Sequence, residues 1–167
     1  MAMQLPPIDV QNLRLMAFDV DGVMTDGRLL FGPNGEELKV FNTLDGHGLK
    51  KLAASGVTLA IITGRNSPMV AKRAADLGIK HVIQGREDKG VALEALADSL
   101  NMRASETGYA GDDEPDVSAL LWAQLSFAPN NAHDCAKNAA NHITVRRGGE
   151  GAVREICDAI LAVRSPA

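Results

Sequence analysis

Aspartates gather at two places in this sequence. The first is Phe18-Asp19-Val20-Asp21-Gly22, and the second is Gly111-Asp112-Asp113-Glu114-Pro115-Asp116. Thr63 and Lys89 lie between them. Asp19, Asp21 and Asp112 together would make a nest of hard oxygens suited to magnesium, which takes few carboxylates and keeps several waters. Thr63 and Lys89 could hold and neutralise phosphoryl oxygens. An aspartate beside a metal and a phosphate can act as a nucleophile and form an aspartyl-phosphate. A second aspartate two residues on can protonate the leaving oxygen and then serve as base for water. Singly, each residue has a plainer reading. Asp-Gly is a common turn, and Thr63-Gly64 fits a strand end. Lys89 would pass for a solvated lysine. Asp113 and Asp116 would pass for a cap and a first-turn acid that complement a helix dipole. Only as a set, in this order, do they point to phosphoryl chemistry.

The elements that must position them can be read from the pattern. Leu13, Leu15, Met16, Ala17, Phe18 and Val20 form an apolar run broken by Arg14 alone, as expected of a strand buried on both faces. Strand side chains alternate, so Asp19 and Asp21 emerge together where it ends. Residues 28–31 and 37–41, around Gly32-Pro33-Asn34-Gly35, predict a projecting β-hairpin. A helix is expected over 45–55 and a second apolar strand over 57–62, ending at Thr63. Ser67-Pro68 signals a helix to Leu77, ended by Gly78. Next come a strand at 81–83, a helix over 87–100 and a strand at 107–110 that runs into the second acidic cluster. Lys89 would fall in a first helical turn, where the dipole disfavours it. Short strands at 124–128 and 142–145 flank a helix at 132–139. An amphipathic helix over 152–163 closes the chain. Strands alternate with helices throughout, which predicts an α/β fold: a three-layer, doubly wound, Rossmann-like parallel sheet. Its strand ends would bring all the polar groups to one crevice.

Composition narrows the function classes. The chain has 167 residues, 46% of them hydrophobic, with a net charge of −4. This predicts one globular domain over 13–167, after a loose lead-in at 1–12. No long basic run appears, so nucleic acid is not an expected partner. No apolar run reaches membrane-spanning length, and the first residues lack a signal-peptide pattern. A cytoplasmic location is expected. Cys135 and Cys157 are read as reduced, buried small hydrophobes, and the four histidines show no zinc-like spacing. Trp122 is read as a core or interface anchor.

The motifs DVDG, ITGR, a lysine and GDDxxD resemble those of the haloacid dehalogenase superfamily of phosphatases, over the whole chain from Leu13 on. FNTLDGHGL, the hairpin after DVDGVMTDG, and GGxGAVRE resemble more narrowly the capless 3-deoxy-D-manno-octulosonate 8-phosphate phosphatases. Those enzymes hydrolyse a sugar-acid phosphate on the route to lipopolysaccharide. The resemblance implies Asp19 as nucleophile and Asp21 as acid/base. It puts magnesium on Asp19, the backbone carbonyl of Asp21, and Asp112. Thr63 and Lys89 would hold the phosphoryl group, with Asp113 and Asp116 in support. Substrate contacts would fall on Asp21, Lys89 and the loop Asn42, Thr43, Leu44, Asp45 and Gly46, with Lys50, Arg65 and Arg73 beyond it. The resemblance also implies a homo-oligomer, a tetramer, with no cap domain. Two departures stand out. Leu44 replaces an arginine common among relatives, and Val117-Ser118 lacks a Trp-Pro found in some.

Three rival readings compete with this one. A receiver domain uses similar residues, but its phosphorylated aspartate ends a strand between the acidic pair and the threonine. Here no strand-end aspartate lies between Asp21 and Thr63. An N-acylneuraminate 9-phosphate phosphatase would need the same chemistry on a similarly anionic substrate. An idle interaction domain would keep crowded carboxylates at a cost in stability and without use.

Overall fold

The backbone alternation of one central strand sets the layers. In the computed structural model, which describes residues 3–164 (side chains of Glu36 and Glu37 apart), strand β1 is Leu15–Phe18 and every residue in it is buried. Leu15 and Ala17 face one apolar cluster, Met16 and Phe18 the other. The outermost ends of the expected lead-in and domain, 1–2 and 165–167, lie outside the described residues.

On either side of β1 lie β4 (Thr58–Ile62) and β6 (Thr107–Ala110), both parallel to it. The hairpin strands β2 (Leu30–Gly32) and β3 (Gly35–Leu38) form a separate antiparallel pair. With β5 (His81–Ile83), β7 (Leu125–Ala128) and β8 (His142–Ile143), the main sheet has the order β5-β4-β1-β6-β7-β8. Helices α1 (Pro7–Asn12), α2 (Thr43–Ala54), α3 (Pro68–Leu77) and α7 (Ala152–Arg164) contribute to the Met16/Phe18 cluster. Helices α4 (Lys89–Ser99), α5 (Val117–Trp122) and α6 (Asp134–Ala139) contribute to the Leu15/Ala17 cluster. This is the expected three-layer, doubly wound parallel sheet. Among the described residues no cap domain is inserted between β1 and β4 or between β4 and α4; only the hairpin and single helices and strands stand there.

Several local readings change. The lead-in is not loose: Pro7 starts helix α1, and Val10 and Leu5 are buried. Helix α2 begins two residues early because Asn42 caps it, its side-chain oxygen accepting from the Leu44 N–H at 2.9 Å. Ser67 sits at the N-cap of α3 as expected, but its buried hydroxyl makes no hydrogen bond. Cys135 is half-buried rather than buried, with its sulfur 3.0 Å from His133 Nδ1. Asp113, His133 and Cys135 come within 4.8 Å of one another, a grouping that the spacing of the histidines does not suggest. There His133 Nδ1 already caps α6 by accepting from the Cys135 N–H.

One long-range contact fixes the acidic loop. After β1, residues 20–24 make a single wide turn, closed by the Thr25 N–H on the Val20 carbonyl at 3.0 Å. Gly148 and Gly149 press against it: the Gly149 N–H reaches the Val23 carbonyl at 3.1 Å, and a Cβ on Gly148 would strike the Gly22 carbonyl. Gly148→Ala is therefore expected to destabilise by about 1–3 kcal/mol, the usual range for overpacking. The check is a urea melt with a lower midpoint and an unchanged slope.

Candidate active site

Because β4, β1 and β6 are neighbours, their ends place Thr63, Asp19 and Asp112 side by side on one edge. They line a crevice of about 290 Å³ together with Asp21, Arg65 and Lys89. Gly22, with φ +97°, lets the chain turn back there; a Cβ on it would collide with the Asp112 carboxylate.

Lys89, the first residue of α4, is 4% exposed. Its ammonium lies 2.9 Å from Asp19 Oδ1 and 2.8 Å from Asp116 Oδ1. That excludes the plain surface-lysine reading. Asp116 in turn has no spare oxygen: Oδ1 also accepts from the Tyr109 hydroxyl at 2.6 Å, and Oδ2 accepts from the backbone N–H groups of Asp112 and Asp113. Asp116 thus braces the loop and orients Lys89. Asp113 is exposed and caps the short turn that follows, accepting from the Glu114 N–H.

The charges are out of balance. Burial, then the nearby charge of Asp116, push the Asp19 carboxyl well above the usual range against the pull of Lys89. The same two causes lift Asp112 to about 7. Lys89 is raised: burial works against its charge, but Asp19 and Asp116 outweigh it. Oxygens of Asp19, Asp112 and Asp116 lie within 4.8 Å of one another. Since Asp116 is fully bonded, Asp19 and Asp112 are the carboxylates left for a cation, and a hard divalent ion fits this donor set.

The other expected substrate residues gather elsewhere. Asn42, besides capping α2, donates from its side chain to the Gly149 carbonyl at 3.1 Å. Asp45 is buried and accepts from the Arg154 N–H at the start of α7, 2.8 Å away; burial raises its carboxyl. Arg73 passes the bare face of Gly46, donates to the Asn42 carbonyl at 3.3 Å and lies over the Phe41 ring. Thr43, Gly46, Lys50 and Arg73 line a separate hollow of about 220 Å³, and Leu44 is exposed beside another. In the single chain these seven residues (42–46, 50 and 73) do not line the acidic crevice.

Comparison with known proteins agrees with this geometry. The haloacid dehalogenase-like hydrolase family matches residues 81–156. The 3-deoxy-D-manno-octulosonate 8-phosphate phosphatase KdsC of Yersinia pestis is 45% identical over 150 residues, 90% of this chain and 80% of that protein. The KdsC of Escherichia coli K12 is 42% identical over 151 residues, 90% of this chain and 80% of that one. The chain belongs to the KdsC phosphatase family. A crystal structure of the Moraxella catarrhalis member, solved with magnesium, phosphate and a KDO molecule, superposes with a TM-score of 0.91 at 42% identity, covering 94% of this chain and 90% of that one. A cobalt-bound member from Haemophilus influenzae gives a TM-score of 0.91 at 39% identity, covering 93% and 91%.

Two residues that bond to acids of this KdsC-type crevice escaped the motif reading. Tyr109 is a fully buried β6 side chain whose hydroxyl meets Asp116. The only hint was a polar-tipped aromatic two residues before Gly111. Lys39 lies just past β3, and its ammonium is 2.5 Å from Asp21 Oδ1. Its hint was a single lysine between the apolar residues Leu38 and Val40.

The charge imbalance makes a prediction. An acid held near 7 in the fold and near 3.8 unfolded costs stability as pH rises between those values. A bound cation removes that cost. Magnesium at about a hundred times its dissociation constant should stabilise the protein by about 2.7 kcal/mol. The thermal shift should be larger at about pH 8 than at about pH 5, and Asp112→Asn should abolish most of it. Scanning calorimetry at both pH values provides the check.

Proposed function

We propose that this KdsC-family phosphatase hydrolyses 3-deoxy-D-manno-octulosonate 8-phosphate to the free sugar acid and phosphate. The observation that carries this reading is the Asp19 carboxylate, centred at the sheet edge against buried Lys89, with Asp112 beside it. Its oxygen attacks phosphorus as the bond to the sugar oxygen breaks, leaving an aspartyl-phosphate. Asp21 gives its proton to the departing oxygen. It then takes a proton from water, whose oxygen attacks the aspartyl-phosphate and releases phosphate and Asp19. Lys89 and Thr63 hold the phosphoryl oxygens through this exchange. Magnesium on Asp19, the Asp21 carbonyl and Asp112 would supply the positive charge that steadies the transferring group.

The substrate's carboxylate needs its own partner. Arg65 lines the same crevice, half-exposed, with its Nε 3.9 Å from Asp21 Oδ2. A planar guanidinium suits a carboxylate. Asn42 to Gly46, Lys50 and Arg73 belong to this reading as contacts supplied across a subunit boundary. The protein acts as a homo-oligomer, a tetramer by family likeness. Support comes from the hairpin, where Leu30, Phe31, Leu38 and Val40 are exposed, and from a crevice that no cap closes. The reading places the enzyme in the cytoplasm. No helix among the described residues is long and apolar enough to cross a membrane.

The test is hydrolysis of a panel of phosphorylated sugar acids with magnesium present. The 3-deoxy-D-manno-octulosonate ester should be turned over with the highest kcat/KM; preference for an N-acylneuraminate 9-phosphate would overturn the substrate assignment. Asp19→Asn should abolish turnover while the circular-dichroism spectrum stays folded. Arg65→Ala should lose about 1.5–3 kcal/mol of transition-state binding for the sugar acid, the range for hydrogen bonds to charged groups. It should lose less on p-nitrophenyl phosphate, and equal losses would remove Arg65 from the carboxylate.

A further inference from the structure

We propose that Lys39 is a positioning residue, carried to the crevice by the hairpin, that holds the acid/base carboxylate of Asp21 at its working angle. The inference rests on the phosphatase reading above.

Each acid of the Asp19/Asp21 pair has its own lysine. Lys89 reaches Asp19 from α4, and Lys39 reaches Asp21 from the hairpin, with Nζ 2.5 Å from Oδ1. The Lys39 side chain is 2% exposed, whereas that of Asp21 is 20% exposed. An ammonium is costly to bury unless it is paired. The strand alternation explains how it gets there: Leu38 and Val40 point outward, 60% and 69% exposed, so Lys39 between them points back into the site.

The geometry divides the labour within one carboxylate. Oδ1 is held by Lys39, and Oδ2 lies toward Arg65 at 3.9 Å, on the crevice side. Oδ2 is then the oxygen that releases its proton to the sugar oxygen as the phosphorus–oxygen bond breaks, and regains one from water in the second step. Lys39 acts through Asp21 and does not touch substrate. Without it the carboxylate keeps only the longer contact with Arg65, and its working angle is held less closely in each turnover.

The experiment compares wild type, Lys39→Met, Lys39→Arg, Asp21→Asn and the double variant Lys39→Met/Asp21→Asn. Each is assayed with magnesium on the sugar-acid phosphate and on p-nitrophenyl phosphate. Lys39→Met should lower kcat on both substrates by about 10- to 100-fold, within what a well-placed general acid provides, with KM changed less than about twofold. Lys39→Arg should recover part of the loss. The double variant should be no slower than Asp21→Asn, because a residue that acts through Asp21 has nothing left to position. Lys39→Gln, which keeps a donor, serves if the methionine variant does not fold. An unchanged kcat, a loss confined to KM for the sugar acid, or additive losses in the double variant would each overturn the proposal. A wild type inactive on both substrates would overturn the phosphatase reading itself, and this proposal with it.

Discussion

The ammonium of Lys89 sits among carboxylates, 2.9 Å from Asp19 and 2.8 Å from Asp116, and the acidic edge depends on it. Three carboxylates within 4.8 Å repel one another in a buried setting, and the raised carboxyls of Asp19 and Asp112 report that repulsion. Lys89 offsets part of it, and its place at the first residue of α4 is set by the helix itself. Asp116 completes the arrangement by spending all its bonding capacity on protein groups, from Tyr109, Lys89 and two backbone amides. The site is thus built in two tiers. Tyr109 holds Asp116, Asp116 holds Lys89, and Lys89 holds Asp19 while leaving Asp112 and the outer face of Asp19 to a cation.

Much of this was legible in the chain. Continuous apolar runs at β1 and β4 told of strands buried on both faces, and polar residues just past their ends told of one crevice. Lys89 was legible because a lysine in a first helical turn contradicts the dipole, and the contradiction had a structural cause. The parts that stayed hidden depend on distant partners. Asn42 looks like any loop residue until its oxygen is seen on the Leu44 amide. Asp45 is read as a helix-start acid, yet it is buried because Arg154, over a hundred residues away, brings its amide to it. Tyr109 and Lys39 carry no local signal beyond a polar atom in an apolar stretch; their partners are set by the packing of the sheet and hairpin.

The expected substrate residues divide along the same line. Arg65 shares the crevice because it follows β4 directly. Thr43, Gly46 and Lys50 share a hollow with Arg73 of α3 instead, since a helix that starts at Thr43 turns these three to that side. Motif likeness points to residue positions without their place in space. It does not say which copy of the chain presents them.

The contact between Gly148-Gly149 and the wide turn after β1 has a consequence for biosynthesis. All the groups that would touch phosphate lie within the first 112 residues, and a ribosome-bound chain exposes them long before the glycines emerge. The turn that carries Asp21 is held from outside by the Gly149 amide on Val23 and by Asn42 on the Gly149 carbonyl. A chain synthesised only as far as Asp112 would carry these acids without the outer support that residues 148–149 give the loop of Asp21. The geometry of the acidic edge thus rests on a contact between segments more than a hundred residues apart.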